Sequence, residues 1–132
     1  MFKFLLVSPD REALSKLASA LVKHGDVDIS WAESGGKALE IISHTVVDIV
    51  VTDERLGDMT GLECARRLLS VNPMINCASV SPLSSGDFHE ASEGLGLMAQ
   101  LPIRPGEDQA KDLLQGLKNL KNLTPGMSIA SI

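Results

Sequence analysis

Apolar and polar positions change period repeatedly along this chain, and each change marks a new element. Residues 2–7 (FKFLLV) are an apolar run of strand length, closed by Ser8-Pro9. A short unbroken run of this kind predicts a strand buried on both faces. Ala13, Leu14, Leu17, Ala20 and Leu21 then recur at helical spacing, and His24-Gly25 close that helix. Residues 27–32 (VDISWA) alternate, with Val27, Ile29 and Trp31 on one face, which is the period of a second strand. Ser34 supplies an N-cap for a helix that turns Ala38, Leu39 and Ile42 inward. Residues 46–53 (VVDIVVTD), six of the eight β-branched, predict a third buried strand that ends on Asp53. Thr60 and Glu63 have capping-box spacing for a helix that buries Leu62, Ala65, Leu68 and Leu69 and stops before Asn72-Pro73. Residues 77–81 predict a weaker strand. A helix carrying Phe88, Ala91 and Leu95, interrupted near Gly94 and Gly96, leads to a short strand over 98–101. The last helix holds Ala110, Leu113, Leu114, Leu117 and Leu120 on its apolar face. The uncharged segment from Asn122 (NLTPGMSIASI) is expected to be a frayed tail or linker stub, leaving residues 1–122 as the folded domain and 123–132 as the tail.

Five strands, each followed by a helix, predict an α/β domain with a parallel sheet, right-handed crossovers and helices on both faces. With strand order 2-1-3-4-5, the switch point lies between the first and third strands, and residues 8–10 border one crevice with Asp53. The bulk numbers agree with a single soluble domain: 132 residues, 44% hydrophobic and 22% charged. A net charge of −5 without a basic cluster argues against a nucleic-acid surface. No apolar run approaches the roughly 20 residues of a membrane span. The opening segment breaks at Ser8-Pro9 too early for a secretory signal, so a cytoplasmic protein is expected. Cys64 and Cys77, on a predicted helix and strand, read as buried thiols in a reducing compartment. His24, His44 and His89 are isolated and lack metal-ligand spacing, and Lys37 and Lys111 fall on solvated helix faces. Gly35-Gly36 lacks the Gly-x-Gly or Lys-Ser/Thr pattern of a phosphate loop.

Three stretches carry a family resemblance: DIVVTDERLGDMTGLE (residues 48–63), AESGGKALEII (residues 32–42) and the Arg104-Pro105 pair. With these, the chain resembles the response-regulator receiver domain of two-component signalling systems from Phe2 to about Asn122. The resemblance implies a flavodoxin-like, doubly wound (βα)5 fold and a signalling role without ordinary enzymatic turnover. Asp53 would attack a phosphohistidine on a partner histidine kinase or phosphotransfer protein and form an acyl phosphate. A divalent cation such as Mg²⁺ offsets charge in that step, a Lys stabilises the transferring group, and a Ser or Thr hydroxyl binds the product phosphate.

Each part maps differently onto this chain. Ser81, 28 residues after Asp53 (81 − 53), supplies the hydroxyl or else starts the turn before Pro82; Ser79 is the candidate if the register slips by two. Arg104 replaces the Lys, and its planar fork suits a two-pronged grip on Asp53 as a resting ion pair. Where the family carries two adjacent carboxylates, this chain has Ser8-Pro9, so Mg²⁺ held by Asp53 is expected to bind weakly, with Asp10 a remote ligand and Glu54 a further carboxylate. Ser8-Pro9-Asp10 reads more simply as a helix start: Ser at N-cap, Pro at N1, Asp in the first turn. Asp58 and Glu63 read as loop solvation and helix capping. Leu101 stands where the family commonly has a switching aromatic side chain.

Two functions follow. One is a phosphorelay receiver with Asp53 as phosphoacceptor. The other is a pseudo-receiver, a phosphorylation-independent interaction module read by a downstream protein or by a second copy through the last helices. A flavodoxin-like cofactor binder is a third reading. The missing phosphate loop after the first strand argues against it, as do the few aromatics, Phe2, Phe4, Phe88 and Trp31.

Overall fold

The computed structural model describes residues 1–130, with side chains through Lys121. Strands β1 (Phe2–Val7), β2 (Val27–Ala32), β3 (Ile49–Thr52), β4 (Asn76–Val80) and β5 (Ala99–Leu101) alternate with helices α1 (Ser15–His24), α2 (Gly35–His44), α3 (Gly61–Val71), α4 (Ser85–Ala91) and α5 (Glu107–Ala130). All strands are parallel, in the order β2-β1-β3-β4-β5 expected for a doubly wound (βα)5 fold.

The two-residue period of the strands divides the core. Phe4, Leu6, Ile49 and Val51 face one side and pack with Leu14, Leu17 and Leu21 and with Leu113 and Leu117 of α5. Leu5, Val7 and Val50 face the other side and pack with Leu56, Ala65 and Leu68. Each fully buried Leu or Val contributes about 1.5–3 kcal/mol relative to exposure. The register decides the site: Val7 pairs with Thr52, and Thr52 with Ser79. The ends of β1, β3 and β4 are therefore level, and Ser8, Asp53 and Ser81 emerge at one edge.

Several elements differ from the periodicity reading. β3 begins at Ile49, because Val46 is 80% exposed and Asp48 spends its carboxylate on the Lys3 N–H at 2.7 Å. The first helix is not capped by Ser8. Asp10 is the cap, accepting the Glu12 N–H at 3.1 Å, and the chain enters α1 through a 3₁₀ turn (Arg11–Leu14). Only half of the capping box of α3 forms. Thr60 accepts the Glu63 N–H at 3.1 Å, while the Glu63 carboxylate turns to Arg66 and Arg67 at 3.5 and 3.2 Å. α4 stops at Ala91, before Gly94 and Gly96 adopt φ of 84° and 63°. Leu120, expected on the buried face of α5, is 43% exposed. The helical backbone of α5 crosses Asn122, where a tail was expected; the side chains of residues 122–130, and residues 131–132 altogether, lie outside the described residues. Among the described residues no helix is long and apolar enough to cross a membrane.

Candidate functional site

Asp53 lies one residue past β3, half-buried, with its N–H donating to Val7 O at 2.9 Å. This bond extends the β1–β3 ladder and fixes where the side chain starts. Each carboxylate oxygen then meets one protein donor. The Glu54 N–H donates to Oδ1 at 2.8 Å, and the Ser8 hydroxyl donates to Oδ2 at 2.8 Å. Ser8 is itself buried, and its Oγ accepts the Asp10 N–H at 3.0 Å. The same hydroxyl lies 2.8 Å from Asp10 O, but it has one proton, and an ionised carboxylate is the stronger acceptor. The result is a relay from the Asp10 N–H through the Ser8 O–H to Asp53, in which each bond polarises the next.

The backbone behind Asp53 is held just as closely. The Gly61 N–H donates to Glu54 O at 2.9 Å as α3 begins. A Cβ at Gly61 would lie 2.2 Å from Asp53 O and 2.8 Å from Thr52 Oγ1, so only glycine fits. Farther along the same loop, Asp58 is not merely solvated. Its carboxylate accepts the N–H groups of Gly35 and Gly36 at 3.0 and 2.9 Å, which holds its pKa below the ordinary 3.8. Met59 packs so tightly over Gly35 that a Cβ there would fall 2.5 Å from the Met59 sulfur. The loop that leaves Asp53 is thereby fastened to the start of α2.

The other expected members of the site are less well gathered. Ser81, buried just past β4, accepts the Leu83 N–H at 3.2 Å and borders an open cavity of about 750 Å³ shared with Glu54, Arg55 and Thr60. Ser79 is not at the crevice. It sits inside the sheet, 2.6 Å from Thr52 Oγ1. Arg104 is exposed at φ 52°, and among the described residues it makes no ion pair. The expected clamp on Asp53 does not form: that carboxylate already has two donors, and a guanidinium in water keeps its hydration. His24 is not isolated; its Nε2 lies 2.5 Å from Glu107 Oε1, where Lys23 also reaches at 3.3 Å, and both lower the Glu107 pKa. Cys64 and Cys77 are free and buried, as expected, with burial pushing both thiols up to about 12.

These donors do not fit the Mg²⁺ that the resemblance implied. A hard divalent cation is held by several anionic oxygens. Asp53 accepts from the Ser8 hydroxyl, Pro9 has no side-chain oxygen to offer, and the Asp10 carboxylate accepts the capping bond from the Glu12 N–H. Among the described residues no three acidic, His or Cys groups converge where an ion would sit. Neither Ser8, the partner of Asp53, nor Gly61, its support, carries a charge that would mark it in the sequence. The Met-x-Gly spacing after Asp53 was the one sequence signal for the latter.

The family model described as response regulator receiver domain matches residues 4–102. A response regulator receiver protein from Anaeromyxobacter sp. (strain Fw109-5) is 31% identical over 102 residues, 77% of this chain and 42% of that protein. The uncharacterized transcriptional regulatory protein YesN of Bacillus subtilis (strain 168) is 31% identical over 97 residues, 72% of this chain and 26% of that protein. The chain thus spans less than half the length of either relative. Among solved structures, a CheY-like response regulator receiver domain protein from Methanospirillum hungatei JF-1 superposes with a TM-score of 0.80 at 20% identity, covering 92% of this chain and 98% of that one. A response regulator receiver domain protein from Clostridium thermocellum gives 0.77 at 19% identity, covering 96% and 99%. With the family model matching residues 4–102, this chain belongs to the response regulator receiver domain family.

Proposed function

We propose that this receiver domain signals in a two-component pathway through contact with protein partners and does not require a phosphorylated Asp53. A cytoplasmic histidine kinase or phosphotransfer protein would meet it at the crevice edge, and a downstream protein would read its surface. The carrying observation is the Ser8 hydroxyl on Asp53 Oδ2 at 2.8 Å. To take a phosphoryl group from a phosphohistidine, a carboxylate lone pair must attack phosphorus while negative charge spreads over the phosphoryl oxygens. Catalysis then depends on preorganised positive or donor groups at those oxygens. In this crevice Oδ2 is engaged by Ser8, Oδ1 by the Glu54 N–H, and Arg104 stays in solvent. The developing charge is left mostly to water and Ser81.

A second reading, with Asp53 as the phosphoacceptor, has one observation in its favour: the carboxylate is half-exposed at the strand edge, with Ser81 just past the neighbouring strand. Intact-mass measurement after incubation with acetyl phosphate and Mg²⁺ separates the two. The contact reading expects no added phosphoryl mass at any Mg²⁺ concentration. A phosphoryl adduct that disappears in Asp53→Ala overturns it in favour of the second reading.

A further inference from the structure

We infer that Ser8 is a positioning residue that takes the place of a divalent cation at Asp53, and that residues 8 and 9 decide whether this crevice binds one. The inference rests on the contact reading and deepens it, by naming what holds the carboxylate at rest.

Ser8 is 2% exposed and sits level with Asp53 across the β1–β3 pairing. Its hydroxyl donates to Asp53 Oδ2 at 2.8 Å, so that oxygen is engaged by the residue that directly follows β1. The hydroxyl has a second acceptor in Asp10 O at 2.8 Å, so rotating it away from Asp53 leaves it satisfied. Ser8 alone therefore does not bar a cation. What bars it is that, among the described residues, no three acidic, His or Cys groups converge on an ion site there, and Ser8 contributes a hydroxyl where a carboxylate would be needed. Pro9 adds none, and Asp10 is engaged with the Glu12 N–H.

The surroundings reinforce this. A cavity of about 450 Å³ opens beside Ser8, lined by Pro9, Arg11, Trp31, Glu33 and Lys37 among others. Its charged rim is two cations against one carboxylate, although Lys37 also pairs with Glu40 at 3.5 Å. Arg11 lies over the Trp31 ring, 5.0 Å from its centroid. Trp31, the single tryptophan of the chain, lines the same cavity and reports on it directly.

The full chain is titrated with Mg²⁺ and Mn²⁺ while Trp31 fluorescence and the thermal midpoint are followed, for the native sequence and for Ser8→Asp/Pro9→Asp. The native chain should give no saturable response up to concentrations that saturate the double variant. The double variant crowds carboxylates around Asp53. It should melt lower without cation, recover as cation is added, and bind about tenfold or more tightly than the native chain. Adding Asp53→Ala to it should abolish the response. If circular dichroism shows that the double variant does not fold, Pro9→Asp alone, at an exposed position, should still gain cation affinity. Saturable binding by the native chain that is lost in Asp53→Ala overturns the inference, and so does a folded variant that binds no more tightly than the native chain. The outcomes are separable from the phosphorylation test. A phosphoryl adduct would defeat the contact reading, whereas saturable cation binding by the native chain without any adduct would defeat this inference alone.

Discussion

Gly61 passes behind Asp53 at the first turn of α3, where its missing side chain leaves room for two neighbours. The nearest atom to an added Cβ is the Asp53 carbonyl oxygen at 2.2 Å, and the next is Thr52 Oγ1, already bonded to Ser79. Neither is the tip of a flexible side chain, so the strand end or the helix must move. Gly61→Ala is expected to destabilise the fold by about 1–3 kcal/mol, read from urea unfolding midpoints. An unchanged midpoint would mean that the approach is looser than described. Gly57, at φ 86° with open space around it, should respond differently. Gly57→Ala is penalised only by the left-handed backbone, roughly 1–2 kcal/mol, with Asp53 undisturbed. The place of Asp53 at a strand end was legible in the sequence, because a β-branched run marks its own end, and that of Ser81 only through the weaker strand over 77–81. The demand on Gly61 was not, because it arises from a helix returning against a strand.

Between elements, the Asp58 carboxylate is the link from the β3–α3 loop to α2, and its dependence on pH has a definite sign. Its pKa is lowered in the folded state, first by the Gly36 N–H and then by that of Gly35. A depressed carboxylate stabilises the fold above its unfolded value, near 3.8, and that contribution disappears as pH falls through the lower folded value. Asp58→Asn should therefore melt below the native protein at neutral pH, and the gap should close in acid below the ordinary carboxylate range. Thermal melts at both pH values check this, and a gap that persists in acid would assign the effect to something other than charge. Glu107, lowered by His24 and Lys23, acts with the same sign between α1 and α5. The sequence announced Thr60 as a cap because its partner lies three residues away. It did not announce Asp58, whose partners lie 22 and 23 residues back.

The whole molecule is two apolar layers separated by one sheet, and Cys64 and Cys77 both belong to the layer of Leu5, Val7 and Val50. Burial pushes both thiols up to about 12, so at neutral pH the native protein presents essentially no thiolate. Labelling by a thiol reagent should be negligible in buffer, should follow the unfolding transition in denaturant, and should then reach both cysteines. Fast labelling under native conditions would show that this layer opens without global unfolding. At the edge of this sheet Asp53 is already hydrogen-bonded, to the Ser8 hydroxyl and the Glu54 N–H.

The number of elements, their order and the delivery of Asp53 to the sheet edge were all written in the sequence. Periodicity and turn chemistry act over a few residues, and the right-handed crossover leaves few topologies to choose from. What touches Asp53 was decided only by the tertiary structure. Ser8 reaches it from 45 residues away, while Arg104, the partner that charge alone would choose, remains in water. A polar contact needs its atoms within about 3 Å and well aligned. Strand register and loop packing set that distance, and the local hydrophobic pattern does not encode them.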